Sequence, residues 1–509
     1  MKKRLLYFVP ILLTVASLSA CDLFSIPQAS FLEATKIKYT YEDYAENYYF
    51  DISYCPTVGN PKLLVVPIWF NDSSLFISTL KKETVRGDIV TAYTGSKSET
   101  GWHSVATYYQ EESLGQCNLT ATVTDWYEVN DTYTAYATEK TGLNKTTALV
   151  ETVSDWYFTN NPSDSRTNYD YNGDGYLDGV MLIYGAPDYG SLKNKNYSNL
   201  WAYCFWLYDA SLKDTANPGP NAFFWASYDF MYGENVAFLR TGKSKYGYGD
   251  TKLVNVDTHT YIHEMGHVFG LQDYYDYSDD QYIPAGGFSM QDLNIGGHDP
   301  YSVMAYGWAN PMVPTDSITL EIRPFQSSHD LVLLSPKFTG SPFDEYLLLE
   351  YYTPTGLNEM DVKYSYTDRY PQGPSSYGIR LWHIDARLVL IDSGDIISLT
   401  NNPVPGDGKT IMHAFSNSYN DEDYGSVLGK KYYDYNIIQL IRNDMKETYR
   451  PTDFISDYDL FYAGDKFTMS KYSEQFVKST SLNSGNSLGW SFKVNAIEEN
   501  KATVTFTKA

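Results

Sequence analysis

Residues 259–273 read HTYIHEMGHVFGLQD, and no other stretch restricts the fold so tightly. On a helix, His263 and His267 stand four residues apart and point to one face, so two imidazoles can reach a single zinc ion. Asp257 or Thr258 is placed to cap that helix. Glu264 lies about 100° round from His263, near the metal but not on it, where it can accept a proton from an attacking water. A bare HExxH is a modest signal in a chain with eight histidines, and the extension decides the matter. Gly270 lets the backbone turn three residues after His267, and Asp273, six after it, comes back as a third, carboxylate ligand. Asp276 is the rival for that place. His259, one turn ahead of His263 on nearly the same face, reads as a packed or supporting residue.

The 509-residue chain has room for two or three domains, and 43% apolar with 20% charged residues excludes disorder over most of its length. With 38 basic against 62 acidic side chains the net charge is -24, which repels phosphate backbones and argues against nucleic acid as a partner. The 49 tyrosines supply half-polar contact area and identify no function.

At the N-terminus Lys2, Lys3 and Arg4 precede an apolar stretch, Leu5 to Ala16, too short to span a bilayer, as in an export signal. Leu18-Ser19-Ala20-Cys21 resembles the lipobox of bacterial lipoproteins. That resemblance implies a signal peptide over 1–20, lipidation of Cys21, and a mature chain anchored on the extracellular face of a bacterial envelope or released from it. Residues 21–55 then read as a polar tether. Cys55, Cys117 and Cys204 remain, an odd number that permits one disulfide or none; Cys55 is also a remote candidate for a thiolate that caps the metal.

From Lys62 the chain alternates buried-type strands and helical stretches. Leu63–Phe70, Leu119–Thr124 and Val180–Tyr184 read as strands, Ser104–Tyr109 and Thr146–Phe158 as helices. After Pro314 short β-runs dominate, with Asn401–Gly408 a loop between two halves. The expected fold is α+β: a metal-binding catalytic domain over 56–313 with a mixed sheet and an active-site helix, then a β-sandwich-like region over 314–509, of one or two subdomains.

YDYNGDGYLDG, residues 169–179, places Asp170, Asn172, Asp174 and Asp178 at positions 1, 3, 5 and 9 of a calcium loop, with Gly175 at the turn and the Tyr176 carbonyl available. Position 12 is Met181, so the glutamate of an EF-hand is missing, and a structural calcium ion is the expectation. Asp276, Asp279 and Asp280 read as a hydrated loop.

HEMGHVFGLQDYYD resembles the metzincin group of zinc endopeptidases, and more closely the immune inhibitor A family of secreted bacterial metallopeptidases. SVATYYQEESLGQCNLTATVTDW, GGFSMQDLNIG, YLLLEYYTPTGLNE and GIRLWHIDAR share in the resemblance, which spans residues 55–390. It implies a zinc endopeptidase metzincin-like in its catalytic domain, hydrolysing protein or peptide bonds by a zinc-activated water, with Glu264 as base and His263, His267 and Asp273 as ligands. It also places Met290 in the turn beneath the metal, ahead of Met304 in the SVMAY stretch. His298 is a candidate contact to the reacting carbonyl. The competing reading is a binding lipoprotein, an adhesin or substrate-capture protein on a protease-derived scaffold, for which an intact Glu264 has no use.

Overall fold

A computed structural model describes residues 32–232, 247–248, 251–252, 255–276, 283–363, 371–417, 435–444 and 454–509. Cys21, Asp279 and Asp280 lie outside them. The chain is mixed α+β.

The apolar run after Lys62 becomes β1 (Lys62–Phe70), the centre of a six-stranded sheet with β2 (Thr120–Val123), β3 (Tyr127–Val129), β4 (Val180–Tyr184), β5 (Tyr203–Trp206) and β6 (Ala222–Ser227). The strand order is β2-β1-β4-β6-β5, with β3 also on β1, and every pairing is parallel except the last, where β5 runs antiparallel at the edge. A strand buried on both faces has no reason to alternate with polar residues, which is why β1 and β4 read as unbroken apolar runs. Leu64, Val66, Val180, Leu182 and Trp225 face the long helix Glu139–Asn160 through Leu149, Val150 and Val153. Leu63, Val65, Met181 and Phe224 face the opposite way, towards Ile262, Met265 and Val268 of the helix His259–Val268. The sheet is thus the floor on which the HExxH helix rests.

Beyond Pro314 two four-stranded antiparallel sheets form, one from Leu331–Leu334, Glu345–Tyr352, Gly378–Asp385 and Ile438–Ile441, the other from Lys466–Phe467, Trp490–Glu498, Lys501–Lys508 and Ile318–Ile322. Period-two alternation divides the first sheet's residues. Val332, Leu347, Leu349 and Leu381 share a core with Leu320, Phe492 and Val504 of the second sheet, whereas Leu333, Leu348 and Trp382 join the core of the HExxH helix. The hydrophobic core therefore runs straight across the expected boundary at 313/314. Asn401–Gly408 joins the strands Asp395–Thr400 and Thr410–His413 of a small three-stranded sheet instead of dividing the region into halves.

The described part of the expected tether is ordered. Thr40 caps the short helix Tyr41–Glu46 in a reciprocal capping box with Asp43. Tyr41 and Tyr44 are buried, the Tyr41 hydroxyl meets that of Tyr301 at 3.0 Å, and the backbone N–H of Thr35 donates to the Pro311 carbonyl at 2.8 Å. Tyrosine explains the difference: a ring can be buried while its hydroxyl finds a partner, so a segment that counts as polar still packs. Among the described residues no helix is long and apolar enough to cross a membrane.

Candidate active site

The active-site helix starts at His259 after the N-cap Thr258, and it is the Asp257 carboxylate that accepts the buried N–H of His259, at 3.0 Å. His259 itself does not reach the metal-type cluster. Its Nδ1 is 2.7 Å from Asp257 and its Nε2 3.3 Å from Asp361, with Trp102 stacked on the ring at 4.0 Å. Burial pushes this imidazole down, but the two carboxylates outweigh it and hold its pKa at about 9. An imidazolium here ties the helix start to the helix Glu359–Lys363 of the C-terminal region.

His263 and His267 converge as their spacing requires. Nδ1 of His263 lies 2.7 Å from the Met290 carbonyl and Nδ1 of His267 2.7 Å from the Leu271 carbonyl. Only an N–H can satisfy those contacts, so both Nδ1 atoms carry hydrogen and both Nε2 atoms turn inwards. The two Nε2 atoms are 3.2 Å apart, with Asp273 Oδ1 at 2.8 Å from one and 3.2 Å from the other. Three electron-pair donors facing one another could hold a cation among them. Two nitrogens bound to one tetrahedral zinc at about 2.05 Å stand roughly 3.3 Å apart, so the separation fits that ion. Without it a proton must substitute: burial pushes His267 down, Asp273 outweighs this and holds it up at about 9, and the imidazoles in turn keep the Asp273 carboxyl far below its usual range. Among the described residues, His263, His267 and Asp273 are the only group of three or more His, Cys, Asp or Glu with ligand atoms all within 4.8 Å.

Asp276 is not part of that group. The turn that returns Asp273 depends on Gly270, whose φ is +117° and where a Cβ would stand 2.7 Å from Cγ of Tyr41. Gly266, between the histidines, also lacks room, since its Cβ would meet Gln291 Oε1 at 2.1 Å. The segment beginning at Met290 therefore lies directly against the helix, with the Met290 side chain fully buried. Met304 sits in the helix Pro300–Ala305, capped by Asp299.

Glu264 is 5% exposed and faces a cleft of two lobes. Burial pushes its carboxyl up to about 7 against the opposing pull of His267 and His263. Trp201, Ala202, Glu264 and Tyr275 border both lobes, which occupy about 430 and 270 Å³. Tyr275 was not legible in the motif: its hydroxyl bonds Asp273, and its ring stacks over His263 at 6.2 Å. The only hint was its place two residues after the ligand. Asp292, which borders the smaller lobe, is likewise fully buried, accepts the Gly287 N–H at 2.8 Å, and is pushed up to about 8 by that burial.

His298 does not border either lobe. It is fully buried among Tyr108, Tyr109 and Tyr306, at ring distances of 5.7 to 5.9 Å, and burial pushes its pKa down to about 3. It packs as a neutral ring behind the helix, with no route to a reacting carbonyl. Cys55 is no metal cap either: it is fully buried, its N–H holds the Val268 carbonyl at 2.8 Å, and burial raises the thiol well above its ordinary value. Cys55, Cys117 and Cys204 are all free thiols.

In the acidic loop the carboxylates organise the backbone. Asp170 accepts the N–H groups of Asp174 and Gly175 at 3.0 and 3.1 Å, Asn172 that of Asp174 at 3.3 Å, and Asp174 that of Tyr176 at 2.8 Å. Asp178 departs from the expected ring, spending both oxygens on the N–H groups of Tyr171 and Lys62, each at 2.9 Å, and so pins the loop to β1. Burial raises Asp178 to about 7 and Asp174 to about 6, with neighbouring carboxylates adding to it.

A buried carboxylate beside a His-His-Asp cluster, at the floor of a cleft, is an arrangement that could hold a metal ion next to a general base. Residues 82–214 match the family model of the immune inhibitor A peptidase M6 catalytic domain, about a quarter of the chain. That match supports a peptidase function. Its span ends ahead of the HExxH helix, so match and cluster are separate observations. No curated protein matches the chain.

Proposed function

We propose that the chain is a zinc-dependent endopeptidase. The observation that carries this reading is the inward convergence of His263 Nε2, His267 Nε2 and Asp273 Oδ1, with both Nδ1 atoms already committed to carbonyls. His263, His267 and Asp273 hold the ion. When bound, zinc acts as a Lewis acid on the scissile carbonyl and makes the attacking water more acidic. Glu264 accepts the water's proton and delivers it to the leaving amine, and Tyr275 keeps Asp273 in place. Met290 gives His263 its carbonyl anchor and serves as the turn beneath the metal. β5, antiparallel at the edge of the sheet among the described residues and beside the cleft, would offer its outer backbone edge to an extended peptide. Casein hydrolysis with and without a chelator tests the reading: activity lost on chelation and restored by zinc is expected, and activity indifferent to chelation contradicts it.

Two further assignments belong to this proposal. The loop of Asp170, Asn172, Asp174 and the Tyr176 carbonyl would hold a structural calcium ion, with Asp178 anchoring the loop to the sheet. Cys21 carries a lipid that holds the enzyme on the outer face of a bacterial cell; Cys21→Ala is then expected to move the protein from the membrane fraction to the medium, and unchanged partitioning contradicts the anchor.

A further inference from the structure

The larger lobe, of about 430 Å³, opens beside Glu264, His267 and Asp273 and is large enough for a bulky side chain. Its far wall comes from two segments distant in sequence. Tyr48, Ile52 and Tyr54 belong to the N-terminal segment, and Cys204, Trp206 and Tyr208 to β5 and the turn after it. The two halves are fastened together. Trp206 Nε1 donates to the Ser53 carbonyl at 2.8 Å, Tyr54 meets Trp206 edge-on at 5.7 Å, and Phe50 packs on Tyr208 at 5.5 Å. Asp51 in the same segment accepts the Tyr176 hydroxyl. The wall is therefore part of the fold and not a tail lying across the cleft.

The ionisable groups bordering this lobe include those of the site itself, Glu264, Asp273 and His267, and among the described residues no lysine or arginine borders it. An anionic side chain would lose its water beside the Glu264 carboxylate with no lysine or arginine among the described lining residues to pair with. An apolar ring would exchange water for aromatic contacts on several sides. We propose that this lobe is the subsite for a large apolar side chain, aromatic by preference, flanking the scissile bond, and that Tyr48–Tyr54 is its specificity-determining wall. The inference rests on the peptidase reading and specifies its substrate class.

The test uses the full chain and peptides that differ only at the residues flanking the scissile bond, carrying Phe, Ala or Glu. At one flanking position wild type is expected to favour Phe over Ala by at least about tenfold in kcat/KM, with Glu the poorest. Cys204→Phe fills the lobe and is expected to lower the Phe-to-Ala ratio at least about tenfold. Tyr48→Ala is expected to weaken the Phe preference and Tyr48→Phe to keep it, a pair that decides the matter if Cys204→Phe does not fold. Equal rates for all three wild-type peptides, or variants that lower all peptides in proportion, overturn the subsite. Failure of wild type to cleave casein or any peptide overturns the peptidase reading instead, and the subsite with it.

Discussion

Both Nδ1 atoms of the paired histidines are tied to carbonyls, so the protein itself turns both Nε2 atoms towards the candidate metal site. Glu264 stands apart from that set, and its substitution separates binding from chemistry. Glu264→Gln is expected to retain the metal while lowering turnover by about two to four orders of magnitude, measured as kcat on casein or peptide; a wild-type rate contradicts the role of base. Gly270 is tested by stability. Because φ is +117° and a Cβ would strike Tyr41, Gly270→Ala is expected to cost about 1–3 kcal/mol and to lower the melting temperature by several degrees. At this scale the sequence was most legible: spacing alone selects His263, Glu264, His267, Gly270 and Asp273, since a helix and one turn place them. Tyr275 and Asp292 escape such reading because their roles arise from what the folded chain sets beside them.

Strands buried on two faces announce themselves as apolar runs, and β1 and β4 fall where the runs do. The long helix starts at Glu139, earlier than Thr146, because its first turns carry Thr, Asn and Lys and pack little. His298 shows the opposite difficulty: proximity in sequence to the Met290 segment says nothing about the side of the helix to which a ring turns. In the acidic loop the raised carboxyls of Asp174 and Asp178 set the sign of a pH effect. A carboxyl higher in the folded state than at its unfolded value of about 4 favours the fold when protonated, so these two groups cost nothing below about pH 4 and progressively destabilise up to about pH 7. The proposed calcium ion would offset that repulsion. Its stabilisation is therefore expected to grow between pH 5 and 8, and to vanish in Asp174→Ala, in thermal melts with and without calcium; an equal calcium effect at both pH values contradicts the loop as the site.

Across the whole molecule, the core does not respect the boundary that composition suggests. One face of the sheet containing Leu333, Leu348 and Trp382 belongs to the core of the active-site helix, and Asp361 reaches from the C-terminal region to His259. A chain ending at residue 313 is accordingly expected to be insoluble or unfolded by circular dichroism, and the full chain to melt in one transition; a stable, native-like truncated form contradicts this shared core. Single-sequence patterns describe each sheet but not which face meets which neighbour, and the tyrosine-rich segment Tyr41–Tyr54 passes for a tether although the rings of Tyr41, Tyr44 and Tyr54 are buried and the hydroxyls of Tyr41 and Tyr44 have partners. The central claim, that His263, His267 and Asp273 hold a catalytic zinc, is tested most directly by metal analysis of the purified full chain beside His267→Ala. One zinc per wild-type chain and its loss in the variant are the predicted result; equal zinc in both, or a peptidase active with no zinc bound, would contradict it.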